Sequence, residues 1–148
     1  MKKILAIIAI LLLPSLATYA DEPIKSINSF ESDMKKCLLK NSDPAGCLGN
    51  TMRGHFSPGN ENLNSVVTQL ASVLNQWLAG NKVYAMHPVK NKSLAKFYDE
   101  RVYLIEDSDG NIIMLETAFV NTLGEWYLHR FNLSSKKDVM SSVLGVNL

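Results

Sequence analysis

Glu116 and Arg130 are the side chains best placed to act together, because alternating runs would bring them opposite each other on neighbouring strands. Such a pair has two main readings, beside a catalytic Glu116 that would need a raised pKa nothing local demands. It is either a cross-strand ion pair worth under about 1 kcal/mol, or a polar anchor that a partner or ligand would desolvate, with Tyr103, Met114, Trp126 and Leu128 supplying contact area. His55, His87 and His129 share no HxxxH or HExxH spacing, so a zinc site would have to be assembled by the fold alone, and no metal is expected. His87 precedes Pro88 and reads as an exposed strand end, while His129, expected opposite Thr117, reads as a hydrogen-bonded core histidine. The stretch Asp107-Ser108-Asp109-Gly110-Asn111 lacks the acidic spacing of a calcium loop and reads as a hairpin turn. The chain carries no Walker loop, GxGxxG fingerprint or GxSxG elbow, so no cofactor and no catalytic residue is assigned.

The compartment bears on the two cysteines. Met1-Lys2-Lys3 is a short basic start, Ile4 to Leu16 is apolar apart from Pro14 and Ser15, and Thr18-Tyr19-Ala20 places small residues around a cleavage point. This is the pattern of a secretory signal peptide over residues 1–20, leaving a single domain over 21–148 in the periplasm or outside the cell. In an oxidising compartment Cys37 and Cys47 are expected to pair, and closing so short a loop would stabilise the fold by about 3 kcal/mol. With 47% apolar residues, 20% charged residues and a net charge of +1, which becomes about −1 once Lys2 and Lys3 leave with the leader, the chain has no nucleic-acid footprint. Membrane contact is expected only through the signal peptide before cleavage.

Positioning these residues requires helices first and strands second. Ile24, Ile27, Phe30, Met34, Cys37 and Leu38 recur at helical steps over 24–40. Asp43 can cap a short second helix with Pro44 at its first position, and Gly46, Gly49 and Gly54 make that segment irregular. The strongest helix follows, with Leu63, Val66, Val67, Leu70, Val73, Leu74, Trp77 and Leu78 on one stripe and Gly80 at its end. Beyond it the period becomes two over 82–89, 100–107, 111–121 and 125–133, with residues 91–99 reading as a basic solvated connection. The tail from Ser134 carries Val139, Val143 and Leu144 at helical steps and is either a short helix or frayed. The class is therefore α+β: N-terminal helices, then a four-stranded antiparallel meander with the long helix packed on one face.

A two-residue turn at Asp109-Gly110 and a three-residue turn at Thr122-Leu123-Gly124 would place Val102, Leu104, Ile113, Leu115, Thr117, Phe119, Tyr127, His129, Phe131 and Leu133 on the core face. The opposite face would carry Arg101, Tyr103, Ile105, Ile112, Met114, Glu116, Ala118, Val120, Trp126, Leu128, Arg130 and Asn132. That face is too apolar to be simply solvated, so a covering partner or ligand is expected. One residue more or less in either turn would exchange the faces of a strand.

The order of elements, with Asp109-Gly110-Asn111-Ile112-Ile113 and Gly124-Glu125-Trp126-Tyr127-Leu128 as its last strands, resembles the nuclear transport factor 2-like superfold and more loosely cystatin-like domains, over about residues 57–134. The resemblance implies a curved sheet that serves isomerase and dehydratase enzymes in some members and partner binding in others, so fold alone does not choose a function. Residues and resemblance together lead to one expectation: an exported, non-enzymatic binding or assembly protein working through its sheet face, by self-association or by docking on an envelope or secretion complex. The competing expectation is a small-ligand carrier or isomerase-type enzyme using a cavity between helix and sheet.

Overall fold

A computed structural model describes residues 22–60 and 62–147. The expected signal peptide lies outside the described residues. Helix α1 spans Ile27–Lys40 and starts where the Ser26 hydroxyl accepts a hydrogen bond from the Ser29 amide at 3.0 Å. It buries Ile27, Phe30, Met34 and Leu38. Ile24, expected within this helix, instead pairs with the sheet, its amide donating to the Trp126 carbonyl at 2.7 Å. Helix α2, Pro44–Met52, is capped by Asp43 and has Pro44 in its first turn, as expected. Cys37 and Cys47 are joined across α1 and α2, with their Cα atoms 5.3 Å apart. The glycines do not make α2 irregular. A Cβ on Gly49 would lie 3.1 Å from the Val67 Cγ1, so the absence of a side chain there lets α2 sit tightly on the next helix.

Helix α3, Leu63–Leu78, buries Val67, Leu70, Leu74 and Leu78 and ends at Ala79 in the left-handed conformation, followed by Gly80. Val66 and Val73, expected on the buried stripe, are exposed, because α3 touches its neighbours along a narrower seam than the apolar sequence allows.

Strands β1 (Val83–Leu94), β2 (Tyr98–Asp107), β3 (Ile112–Thr122) and β4 (Glu125–Ser134) form one antiparallel sheet in the order β1-β2-β3-β4. The 91–99 segment is not a free connection. Strand β1 continues to Leu94 and pairs with β2 to the tip, because the alternation of Lys90 and Lys92 with Asn91 and Ser93 is itself compatible with an exposed edge strand.

Both turns differ by one residue from the sequence expectation, with large consequences for which side chains face the core. The β2–β3 turn holds three residues, Ser108, Asp109 and Gly110, because the Asp107 carboxylate accepts from the amides of Asp109 and Asn111, each at 2.9 Å. Tyr103 then pairs with Leu115 and Ile105 with Ile113, all facing the helices, while Val102 and Leu104 face outward. The β3–β4 turn holds two residues, Leu123 (φ 56°) and Gly124 (φ 89°), both left-handed, the geometry that suits a tight hairpin. Leu128 therefore opposes Phe119 in the core, and Tyr127 lies on the outer side. An irregularity between Ala118 and Phe119 places His129 as an extra residue, after which Phe131 and Leu133 return to the helix side. His129 is exposed and reaches Asn60, so it is not a core histidine.

The tail resolves into helix α4, Lys137–Leu144, ending at left-handed Gly145. It lies on the outer face, where Met140 is buried with Val102 and Met114, and where Leu104, Ile112, Val139 and Val143 pack around them. The larger core lies on the other side, between the sheet and α1, α2 and α3.

Candidate functional site

Three places on the sheet carry side chains that a simple core does not require. The first is the outer-face ion cluster. Glu116 alternates outward from β3, and Arg130 stands opposite Ala118, one diagonal step away. The arginine spans that step: its Nη2 donates to Glu116 Oε1 at 2.5 Å and to Glu100 Oε2 at 2.8 Å. The Tyr98 hydroxyl donates to Glu100 at 2.9 Å, and burial, reinforced by that carboxylate, raises its pKa. Glu116 is buried while Arg130 is about half exposed, so the arginine acts as a lid over a carboxylate that would otherwise be desolvated alone.

The six residues expected to form one site do not share a surface. Met114, Glu116 and Arg130 are on the outer face, but Tyr103, Trp126 and Leu128 are on the helix side, because each turn changed length and exchanged the faces of the strands concerned. Met114 is fully buried beneath α4, so the apolar part of the outer face is covered by the chain itself. The Glu116–Arg130 ion pair is present, though Tyr103 is not beside it.

The second place is on the helix side of β2. Arg101 donates through Nε to Asp99 at 2.9 Å and through Nη1 to Glu31 on α1. Next to it Tyr103 is wholly buried, its hydroxyl under the influence of the Glu31 and Thr117 side chains. A cleft of about 330 Å³ opens here between α1 and the β1 edge, bounded by Glu31, Pro88, Val89, Lys90, Asn91, Arg101 and Tyr103. The edge bulges at Val89, where the pairing of β1 with β2 shifts between Pro88 and Lys90. Glu31 and Asp99 were not singled out in the sequence. They are reached only through tertiary contact, and alternation along β2 marks Arg101 alone.

The third place is the end of the sheet where both hairpins turn. Leu94 is 54% exposed, Phe97 66% and Leu123 100%. The tips belong to one edge, since the Asn121 amide donates to the Phe97 carbonyl at 2.8 Å. Hairpin tips normally carry small polar residues, so three large apolar side chains at one end are a detectable anomaly even in the sequence. Lys92 and Lys96 flank them.

Comparison with protein-family models and with curated proteins returns no match. Among the described residues, no helix is long and apolar enough to cross a membrane.

Proposed function

We propose that this chain is an exported, non-enzymatic protein that works by contact, docking on a protein partner through the sheet end that bears Leu94, Phe97 and Leu123. Leu123 carries this reading. It holds a left-handed conformation, which costs a residue with a side chain about 1 kcal/mol, and its side chain touches nothing in the protein that removes it from water. Asn or Gly would suit such a turn better, so the leucine is explained by a use for its surface. Phe97 and Leu94 extend the same patch, and the lysines beside them favour an acidic partner. Within the resemblance to the nuclear transport factor 2-like superfold, this reading sides with the partner-binding members.

Site-specific photo-crosslinking in the producing cell tests the proposal. A photoreactive residue at Phe97 should give a discrete adduct that one at Tyr84, an exposed residue near the far end of β1, does not. Adding Leu123→Asn should remove the adduct. Equal labelling from both positions, or an adduct indifferent to Leu123→Asn, would count against docking at this end.

A further inference from the structure

Strand β1 lies at an edge of the sheet, and every residue from His87 to Leu94 is exposed. Pro88 and the shift in pairing that follows it interrupt only the start of this stretch. From Lys90 to Leu94 the strand is regular, paired without a further shift to Val102 through Tyr98. Such pairing uses the backbone groups of alternate residues and turns the remaining N–H and C=O groups toward the open edge. Among the described residues, Lys90 to Ser93 have no backbone hydrogen bond to any element but β2. Lys90 and Lys92 stand on the outer face, opposite Val102 and Glu100. The Lys90 ammonium donates to the Val143 carbonyl at 2.5 Å, and no carboxylate among the described residues forms an ion pair with either lysine. Glu100 is one strand further in and is held, with Glu116, by Arg130. The helix-facing side of β1 carries neutral Asn91 and Ser93, and the acids beside them, Glu31 and Asp99, are taken by Arg101.

A strand laid along this edge would sit about 5 Å from β1 and about 10 Å from β2. Its outer-face side chains would therefore meet the two lysines first, while Glu100 acts across about one Debye length and is largely screened. A second copy of the chain is a poor occupant. Antiparallel pairing centred on this stretch sets Lys92 against Lys92 or Lys90, and like charges directly opposite each other are destabilising.

We infer that the partner docks by adding an extended acidic segment to β1 between Lys90 and Leu94, with carboxylates on the face of the lysines and neutral side chains on the other. The inference rests on docking at the hairpin end, since the added strand would run into the patch of Leu94 and Phe97, and it specifies the form of partner that this end receives. The lysines that keep the edge from pairing indiscriminately also give it a choice of partner.

Three capped hexapeptides separate pairing from charge: one of alternating glutamate and valine, one of alternating lysine and valine, and the acidic sequence N-methylated throughout, which keeps its charge and loses its backbone donors. Each is titrated into isotopically labelled protein while amide chemical shifts and hydrogen exchange are followed. The acidic peptide should give saturable shifts from Lys90 to Leu94 and slow the exchange of the outward amides there, and both other peptides should bind more weakly. Lys90→Gln with Lys92→Gln, at exposed positions, should weaken the acidic peptide about tenfold through the loss of two cross-strand charge pairs. Equal binding of the N-methylated peptide would overturn the inference by reducing it to charge attraction. Shifts centred away from β1, or equal binding of the acidic and basic peptides, would overturn it too. Leu123→Asn, which removes docking at the hairpin end, should leave the acidic peptide on β1 in place. Failure of the acidic peptide to bind, with the Phe97 adduct retained in the cell, overturns strand addition alone and leaves that docking standing.

Discussion

Asp107 shows how much one side chain decides. Its pKa is lowered to about 2, first by the hydrogen bond from the Asn111 side chain and then by the Asn111 amide, Asn81 and the Asp109 amide, against a desolvation that works the other way. A carboxyl lowered on folding contributes stability that is fully present above its unfolded value, about 3.9, and that is lost as pH falls through about 2. Unfolding free energies measured between those pH values should therefore fall more steeply for the native protein than for Asp107→Asn, and parallel profiles would contradict this. On the outer face, Arg130→Ala should cost about 1–2 kcal/mol, more than an exposed ion pair, because Glu116 is left buried without its partner. Adding Glu116→Gln should recover part of the loss, and a double-mutant cycle by denaturant unfolding measures the coupling. The Glu116–Arg130 pair was legible in the sequence because a long arginine reaches a diagonal neighbour as readily as a direct one, so the pairing survived a register that was wrong. Glu31 on Arg101 was not legible, since nothing local joins two residues on α1 and β2.

The helices were readable from their period, and the caps at Ser26 and Asp43 fix where α1 and α2 begin. Turn length was the unreadable quantity. Asp-Gly suggests a two-residue hairpin, yet the Asp107 side chain stabilises a three-residue turn, and that single residue carries Tyr103 and Ile105 into the core and Val102 and Leu104 out of it. The outer face is apolar through Val102, Leu104, Ile112 and Met114, of which only Ile112 and Met114 were expected there, and its cover is the chain's own α4 and not a partner. Met140→Ala should accordingly cost about 2 kcal/mol. A chain ending at Ser134 should self-associate through the exposed Val102 and Met114, which light scattering would detect as a mass that rises with concentration. At the other side of the sheet, the disulfide holds the start of α2 against α1. Replacing Cys37 and Cys47 with Ala should lower stability by about 3 kcal/mol in denaturant unfolding, with a loss below about 1 kcal/mol indicating that helix packing alone fixes this corner.

Taken whole, the molecule hides the middle of its sheet, β3 above all, while β1 is exposed from His87 onward. Three helices cover one face, α4 covers the apolar part of the other, and Arg130 closes over the carboxylates that remain. The β1 edge is blunted by Pro88, a bulge and lysines, and part of the β4 edge is taken by Ile24 and Phe56, which leaves little for indiscriminate strand pairing. The bare leucines and phenylalanine at the hairpin end stand out by falling together, whereas the other exposed large apolar side chains, such as Val73, Tyr84 and Val146, lie on different elements. The most direct measurement sets stability beside contact for Leu123→Asn: thermal midpoint on the purified protein, and photo-crosslinked adduct yield from Phe97 in the producing cell. Docking through this end predicts a midpoint that is unchanged or higher together with loss of the adduct. A lower midpoint with the adduct retained would show that Leu123 serves the fold and not a partner.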